Sequence, residues 1–262
     1  MPGNSMALPT AEQPTLRREW RHGLRSLWKF IRDQSDLSNS FEAMFALAGP
    51  LVEKEFNAFA ATSVGSRLLQ QSPRSDLNAI LADQETLGSM PAGSFAHAYL
   101  DYLGGQGMGS TDYFLQAAGL DEKAQRFGWS EDQLWFVKRM ANSHDLFHIV
   151  SGYDRSAVGE VGVVSYTAGQ IPLLPLRLSL IYFATMKPST PLAWLRYIRN
   201  AYRHGRDTPS LACIDFESLL PLPLEEAQQR VGGPTLEQAH PGGLPEPGAR
   251  LLKLEAALGG GL

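Results

Sequence analysis

The segment His144-Asp145-Leu146-Phe147-His148, followed after eleven residues by Glu160, constrains the fold more than any other feature of the chain. Its polar groups are set among Leu146, Phe147, Ile149 and Val150, residue types that belong inside a protein. On an α-helix, residues one and four places apart lie about 100° and 40° around the axis, so His144, Asp145 and His148 share a face. Gly152 suits a helix stop, and a turn through Tyr153-Asp154-Arg155 lets a second helix, starting near Ser156, return Glu160 to the side of His148. Two imidazoles and one or two carboxylates then converge, a donor set for zinc or a first-row neighbour. Burying these groups together without a cation is costly, so a metal site of His144, Asp145, His148 and Glu160 is expected.

The rest of the chain provides a body for such a site. At 262 residues and 44% hydrophobic content it is too apolar for general disorder. A net charge of −4 makes nucleic acid an improbable partner. Cys213 stands alone, which excludes an internal disulfide framework and a thiolate cage. The longest apolar runs are interrupted at Pro172, Pro175, Arg177 and Lys187, short of the ~20 residues of a membrane span. With no secretory core at its amino terminus, the chain is expected in the cytoplasm.

Helical periodicity dominates, and the expectation is an all-α, single-domain helical bundle spanning residues 15–231. A disordered leader (1–14) precedes it. A Gly/Pro-rich tail (232–262) follows, in which 12 of 31 residues are Gly or Pro, a density that predicts mobility with at most a short amphipathic stretch at Arg250 to Leu258. Within the bundle, Asn39 or Ser40 and Ser75-Asp76 are candidate caps, Pro50 a break, and Gly104 to Gly109 a loop. Ser130 opens a helix that runs through the motif to Gly152, and Thr190-Pro191 opens another that continues to Gly205. Val161, Val163, Val164 and Tyr166 would suit a strand, but no comparable partner strand exists and the stretch is read as helix. From Thr15 to Asp33, Leu16, Trp20, Leu24, Leu27, Trp28 and Ile31 alternate with six basic residues. Such a basic amphipathic helix packs on a core with its charges solvated, or lies on an anionic membrane; packing is the commoner outcome.

The motif resembles that of the coenzyme Q biosynthesis protein 4 family of ubiquinone synthesis: His-Asp-x-x-His, eleven residues, then Glu, matched at His144, Asp145, His148 and Glu160. Pro91-Ala92-Gly93-Ser94 with Tyr99, Arg139, Gly159, Gln170, Ala201-Tyr202, Gly205 and the stretch Glu217 to Gly232 extend the likeness over roughly 77–232. Two positions depart from it: Asn142 stands where the family usually has Glu, and Pro172 follows Gln170 after one residue where the family tends to have Gln-x-x-Leu-Pro. The resemblance implies an all-helical fold, a divalent metal (zinc, with ferrous iron as the alternative), peripheral attachment to the inner face of the membrane, and association with other ubiquinone-biosynthesis enzymes. A homo-oligomer is expected. The implied activity is removal of the ring carboxyl at carbon 1 of a polyprenylated 4-hydroxybenzoate-type precursor, with or without hydroxylation.

For that chemistry, Asp145 is either a fourth ligand or the acid/base catalyst. Phe147, Ile149, Tyr153, Leu173, Leu174 and Leu180 are candidates for a prenyl groove, though ordinary core packing accounts for each singly. Arg199 and Arg203, one turn apart, are candidates for an anionic head group, against a solvated face. Three rivals compete. A metalloprotease would want Glu where Asp145 stands. A phosphohydrolase would recruit His97 with Asp207 or Asp215. A lipid-binding scaffold would use the metal only for structure.

Overall fold

The computed structural model describes residues 18–33, 36–104, 118–186 and 190–257. The expected leader and all of the expected loop after Gly104 lie outside them. In chain order the helices are α1 (Trp20–Arg32), α2 (Leu37–Ala48), α3 (Leu51–Ala60), α4 (Ser63–Gln70), α5 (Leu77–Ala82), α6 (Gln84–Gly88), α7 (Phe95–Gly104), α8 (Leu120–Phe127) and α9 (Glu131–Asn142). They continue with α10 (His144–Ser151), α11 (Ala157–Gln170), α12 (Leu174–Ala184), α13 (Pro191–Asp207), α14 (Phe216–Leu219), α15 (Leu224–Val231), α16 (Leu236–Ala239) and α17 (Ala249–Ala257). No strand occurs among the described residues, so the all-α expectation holds, including for the valine-rich stretch in α11. None of these helices is long and apolar enough to cross a membrane.

The centre of the molecule is the pair α11 and α13, its most extensive helix contact. Their backbones approach closely because glycines stand at the crossing. A Cβ on Gly205 would lie 1.9 Å from the Tyr166 carbonyl oxygen, and one on Gly169 would lie 2.1 Å from that of Tyr202. Around the pair, Phe95, Tyr99, Leu146, Tyr153, Trp194 and Phe216 form the main core. A smaller core of Phe59, Leu68, Phe136 and Val137 joins α3, α4 and α9.

Three expectations change. The single helix from Ser130 to Gly152 is two, α9 and α10, divided at Ser143, whose amide is shared between the Arg139 and Met140 carbonyls at 3.1 and 3.2 Å and whose hydroxyl also donates to the Arg139 carbonyl at 2.8 Å. The tail as far as Leu251 is packed, not mobile: Thr235 caps α16, and His240 and Leu251 are buried. A few long-range contacts suffice there despite the Gly/Pro density. Finally, α1 turns the small residues Gly23 and Ser26 inward against α2, leaving Trp20, Leu24, Trp28 and Ile31 exposed. Arg126 fastens this arrangement by pairing with both Glu19 and Glu42. Burial opposes ionisation of Glu42, but Arg126, Lys123 and His22 outweigh it and bring its pKa down to about 2.

Candidate metal centre

Local sequence places each ligand. Gly152 (φ +79°) ends α10 in the left-handed region, and its amide donates to the His148 carbonyl at 2.8 Å. The chain then turns on Asp154, whose Oδ1 accepts from the Ser156 amide at 3.1 Å and hydroxyl at 2.6 Å. Ser156 in turn caps α11 by accepting from the Gly159 amide. Gly159 is required here, since a Cβ would stand 2.0 Å from the Asp154 carbonyl oxygen. Glu160 thereby enters in the first turn of α11, where the helix N-terminus favours a carboxylate.

The result brings one donor atom from each of His144, His148 and Glu160 within 4.8 Å of one another, the one such group of three found among the described residues. His148 is fully buried, and its Nδ1–H donates to the Tyr153 carbonyl at 3.0 Å. A carbonyl can only accept, so Nδ1 carries a proton, and whenever Nε2 is without one its lone pair faces Glu160 Oε1 at 3.1 Å. Both Nε2 and Oε1 are buried and neither is hydrogen-bonded. Two electron-rich atoms facing each other away from water are what a bound cation would satisfy, so these residues fit a divalent metal.

Asp145 is buried beside His144, with Oδ1 at 3.7 Å from Nδ1, but it is not one of the three converging groups. Burial disfavours the His144 imidazolium, yet Asp145 and Glu160 outweigh it and raise the pKa above the ordinary histidine value. Tyr102 of α7, which no motif singled out, packs against His148 with ring centres 5.3 Å apart. Burial, followed by the charges of Asp145 and Glu160, pushes its phenol pKa well up. Nothing in the local sequence links Tyr102 to a motif so far along the chain.

The other candidates lie as follows. Phe147 is buried against Phe216. Tyr153 is buried, with its hydroxyl between His204 and His240. Arg199 and Arg203 lie exposed on α13. His97 contacts the Gly88 carbonyl, while Asp207 pairs with Arg206 and Asp215 with Arg67, so the hydrolase set is not assembled. Asn142 is buried at the wall of a cavity of about 740 Å³, with Oδ1 unbonded.

Residues 45–234 match the family model described as coenzyme Q (ubiquinone) biosynthesis protein Coq4. The mitochondrial ubiquinone biosynthesis protein COQ4 homolog of Bos taurus is 28% identical over 171 residues, covering 64% of this chain and 60% of its own length. Mitochondrial COQ4 of Paracoccidioides brasiliensis is 22% identical over 177 residues, covering 67% of this chain and 58% of its own. The chain thus spans about 60% of the length of these curated relatives. A crystal structure from Nostoc punctiforme, titled as a ubiquinone biosynthesis protein, superimposes with a TM-score of 0.56 at 17% identity, over 82% of this chain and 99% of that one.

Proposed function

From the premise that this chain belongs to the Coq4 family of coenzyme Q biosynthesis proteins, we propose that it acts in ubiquinone synthesis as a metal-dependent decarboxylase of a polyprenylated 4-hydroxybenzoate-type precursor. The observation that carries this reading is the buried, unbonded pair His148 Nε2 and Glu160 Oε1. His144, His148 and Glu160 would hold the ion, zinc or alternatively ferrous iron. When bound, the metal supplies Lewis acidity toward the carboxylate or phenolate of the precursor. Asp145 delivers a proton to the ring carbon that bears the carboxyl. The carbon–carbon bond then breaks, its electron pair returns to the ring, and carbon dioxide leaves. A para hydroxyl stabilises the protonated ring meanwhile by sharing its lone pair. Tyr102 and the buried face of α10 limit water around His148.

The surroundings support a lipid substrate. The exposed Trp20, Leu24, Trp28 and Ile31 stand on a helix with Arg21, Arg25, Lys29 and Arg32, suited to peripheral attachment at a membrane. Arg199 and Arg203 offer charge to an anionic head group. Other quinone-synthesis enzymes, and further copies of this chain, are the partners this reading requires at such a surface.

The test is twofold. Protein purified without chelators should carry a divalent metal that His148→Ala abolishes. Cells lacking the protein should accumulate the carboxylated precursor when complemented with His148→Ala, but not with wild type. Full activity from metal-free protein would overturn the proposal.

A further inference from the structure

The segment Pro234 to His240, almost wholly beyond the residues that match the family, packs against the turn that follows α10, at Gly152 and Tyr153. The bond from His148 Nδ1–H to the Tyr153 carbonyl decides where Nε2 points. Tyr153, which supplies that carbonyl, and Gly152 just before it are held from this segment at several points. Leu236 lies over Gly152, so that a Cβ there would stand 3.3 Å from Leu236 Cβ. His204 Nε2–H donates to the Pro234 carbonyl at 2.8 Å. His204 Nδ1 must then accept, and it takes the Tyr153 hydroxyl proton at 3.2 Å. The same hydroxyl oxygen accepts from His240 Nε2–H at 2.8 Å.

The proton order therefore runs one way, from His240 through Tyr153 and His204 to Pro234, with all three rings neutral. His240, Tyr153 and His204 are 5%, 1% and 3% exposed, so water does not substitute for any of these bonds. Tyr197 packs at a tilt on His240 with ring centres 5.0 Å apart, and Tyr166 meets His204 edge-on at 4.9 Å. Leu251, buried, and Leu236, partly buried, anchor the tail by apolar contact as well, which needs no ordered set of hydrogen bonds.

We infer that His240 is a positioning residue for the metal centre: by holding Tyr153 it fixes the carbonyl that aims His148 Nε2 at Glu160. The inference rests on reading His148 as a metal ligand. It predicts that metal affinity depends on a side chain that touches no ligand and acts one step behind the Tyr153 carbonyl, a direct partner of the kind commonly worth about 10–100-fold to a ligating histidine.

The experiment is a Co²⁺ titration of the full, metal-stripped chain, read by visible absorption, with thermal unfolding of each metal-free variant recorded alongside. His240→Phe fills the space without a donor and should weaken Co²⁺ about 10–100-fold and alter the ligand-field bands at saturation. His240→Gln keeps an N–H that can reach the Tyr153 hydroxyl and should restore both. Tyr153→Phe keeps the carbonyl, loses the clamp, and should behave like His240→Phe; it carries the test if His240→Phe does not fold. Wild-type affinity and spectrum in both Phe variants would overturn the inference, as would a loss that His240→Gln does not relieve. A wild-type chain that binds no Co²⁺, or His148→Ala binding it equally well, would sink the metal reading and this inference with it. Binding lost in His148→Ala but indifferent to substitution at His240 would sink this inference alone.

Discussion

With Nε2 of His148 unprotonated, Glu160 and His148 oppose two acceptors across 3.1 Å of buried space, and this has a cost in the absence of a cation. Glu160→Gln removes the charge and supplies an N–H that can donate to His148 Nε2. The metal-free Glu160→Gln protein should therefore be more stable than metal-free wild type, by about 1–3 kcal/mol, and should no longer be stabilised by metal. Thermal melts with and without chelator check both halves. A second prediction concerns the histidines behind the site. Burial, then His204, lowers the His240 pKa to about 4; burial also lowers that of His204, against the opposing effects of the Pro234 carbonyl and Asp207. The surrounding tyrosines 153, 166 and 197 stay neutral, each with its pKa pushed up chiefly by burial. A depressed histidine pKa gives stability that is complete above the ordinary value of 6.5 and is lost as pH falls toward 4. Between those limits wild type should lose on the order of 2–3 kcal/mol more than His240→Gln, measured by urea unfolding at stepped pH.

Among the elements, the α11–α13 crossing is the least tolerant of added volume. Gly205→Ala sets a methyl against the backbone of Tyr166, which cannot rotate away as a side chain could. It should cost about 3 kcal/mol or more and, because Glu160 rides on α11, weaken metal binding too. Gly88→Ala, with its nearest neighbour at 3.9 Å, is the control and should be close to neutral. Denaturant unfolding and metal titration of the two variants test this. The same helices show what could be read from sequence. The ligand spacing on α10 and α11 was legible because helix geometry converts positions 144, 148 and 160 directly into one face and one return. The helical state of the valine-rich stretch was legible from the lack of partner strands. Other features were not. The break at Ser143 spans a single residue and leaves no mark in the periodicity, and the placing of Tyr102 and His240 depends on contacts between residues far apart in the chain. Periodicity marked α1 as a helix but could not say that Gly23 and Ser26, which permit close approach to α2, would take the inner face from the larger tryptophans. The tail was misread because Gly and Pro density reports local freedom and not the few distant contacts that override it.

At the scale of the whole molecule, charge and exposed apolar surface coincide on α1. The chain carries −4 overall, while α1 holds Arg21, Arg25, Lys29 and Arg32 and no acidic residue, so the remainder is more acidic than the total. An anionic surface would attract this helix and repel the rest, orienting the molecule before contact. Trp20, Leu24 and Trp28, each about half exposed, would then enter the headgroup layer. Each basic residue near such a surface is worth about 1 kcal/mol, and salt screens it over ~8 Å at physiological ionic strength. Wild type should therefore float with anionic vesicles at low salt, release as salt rises, and bind neutral vesicles weakly. Arg25→Glu with Lys29→Glu should reduce binding at least about tenfold, since both positions lie on the exposed side of α1 and the substitutions leave the Gly23 and Ser26 contact intact. Trp28→Ser should weaken binding to either vesicle type without changing the salt dependence. If charge reversal leaves flotation unchanged while Trp28→Ser instead dissociates an oligomer in sedimentation, the exposed stripe is covered by a second copy of the chain and not by lipid.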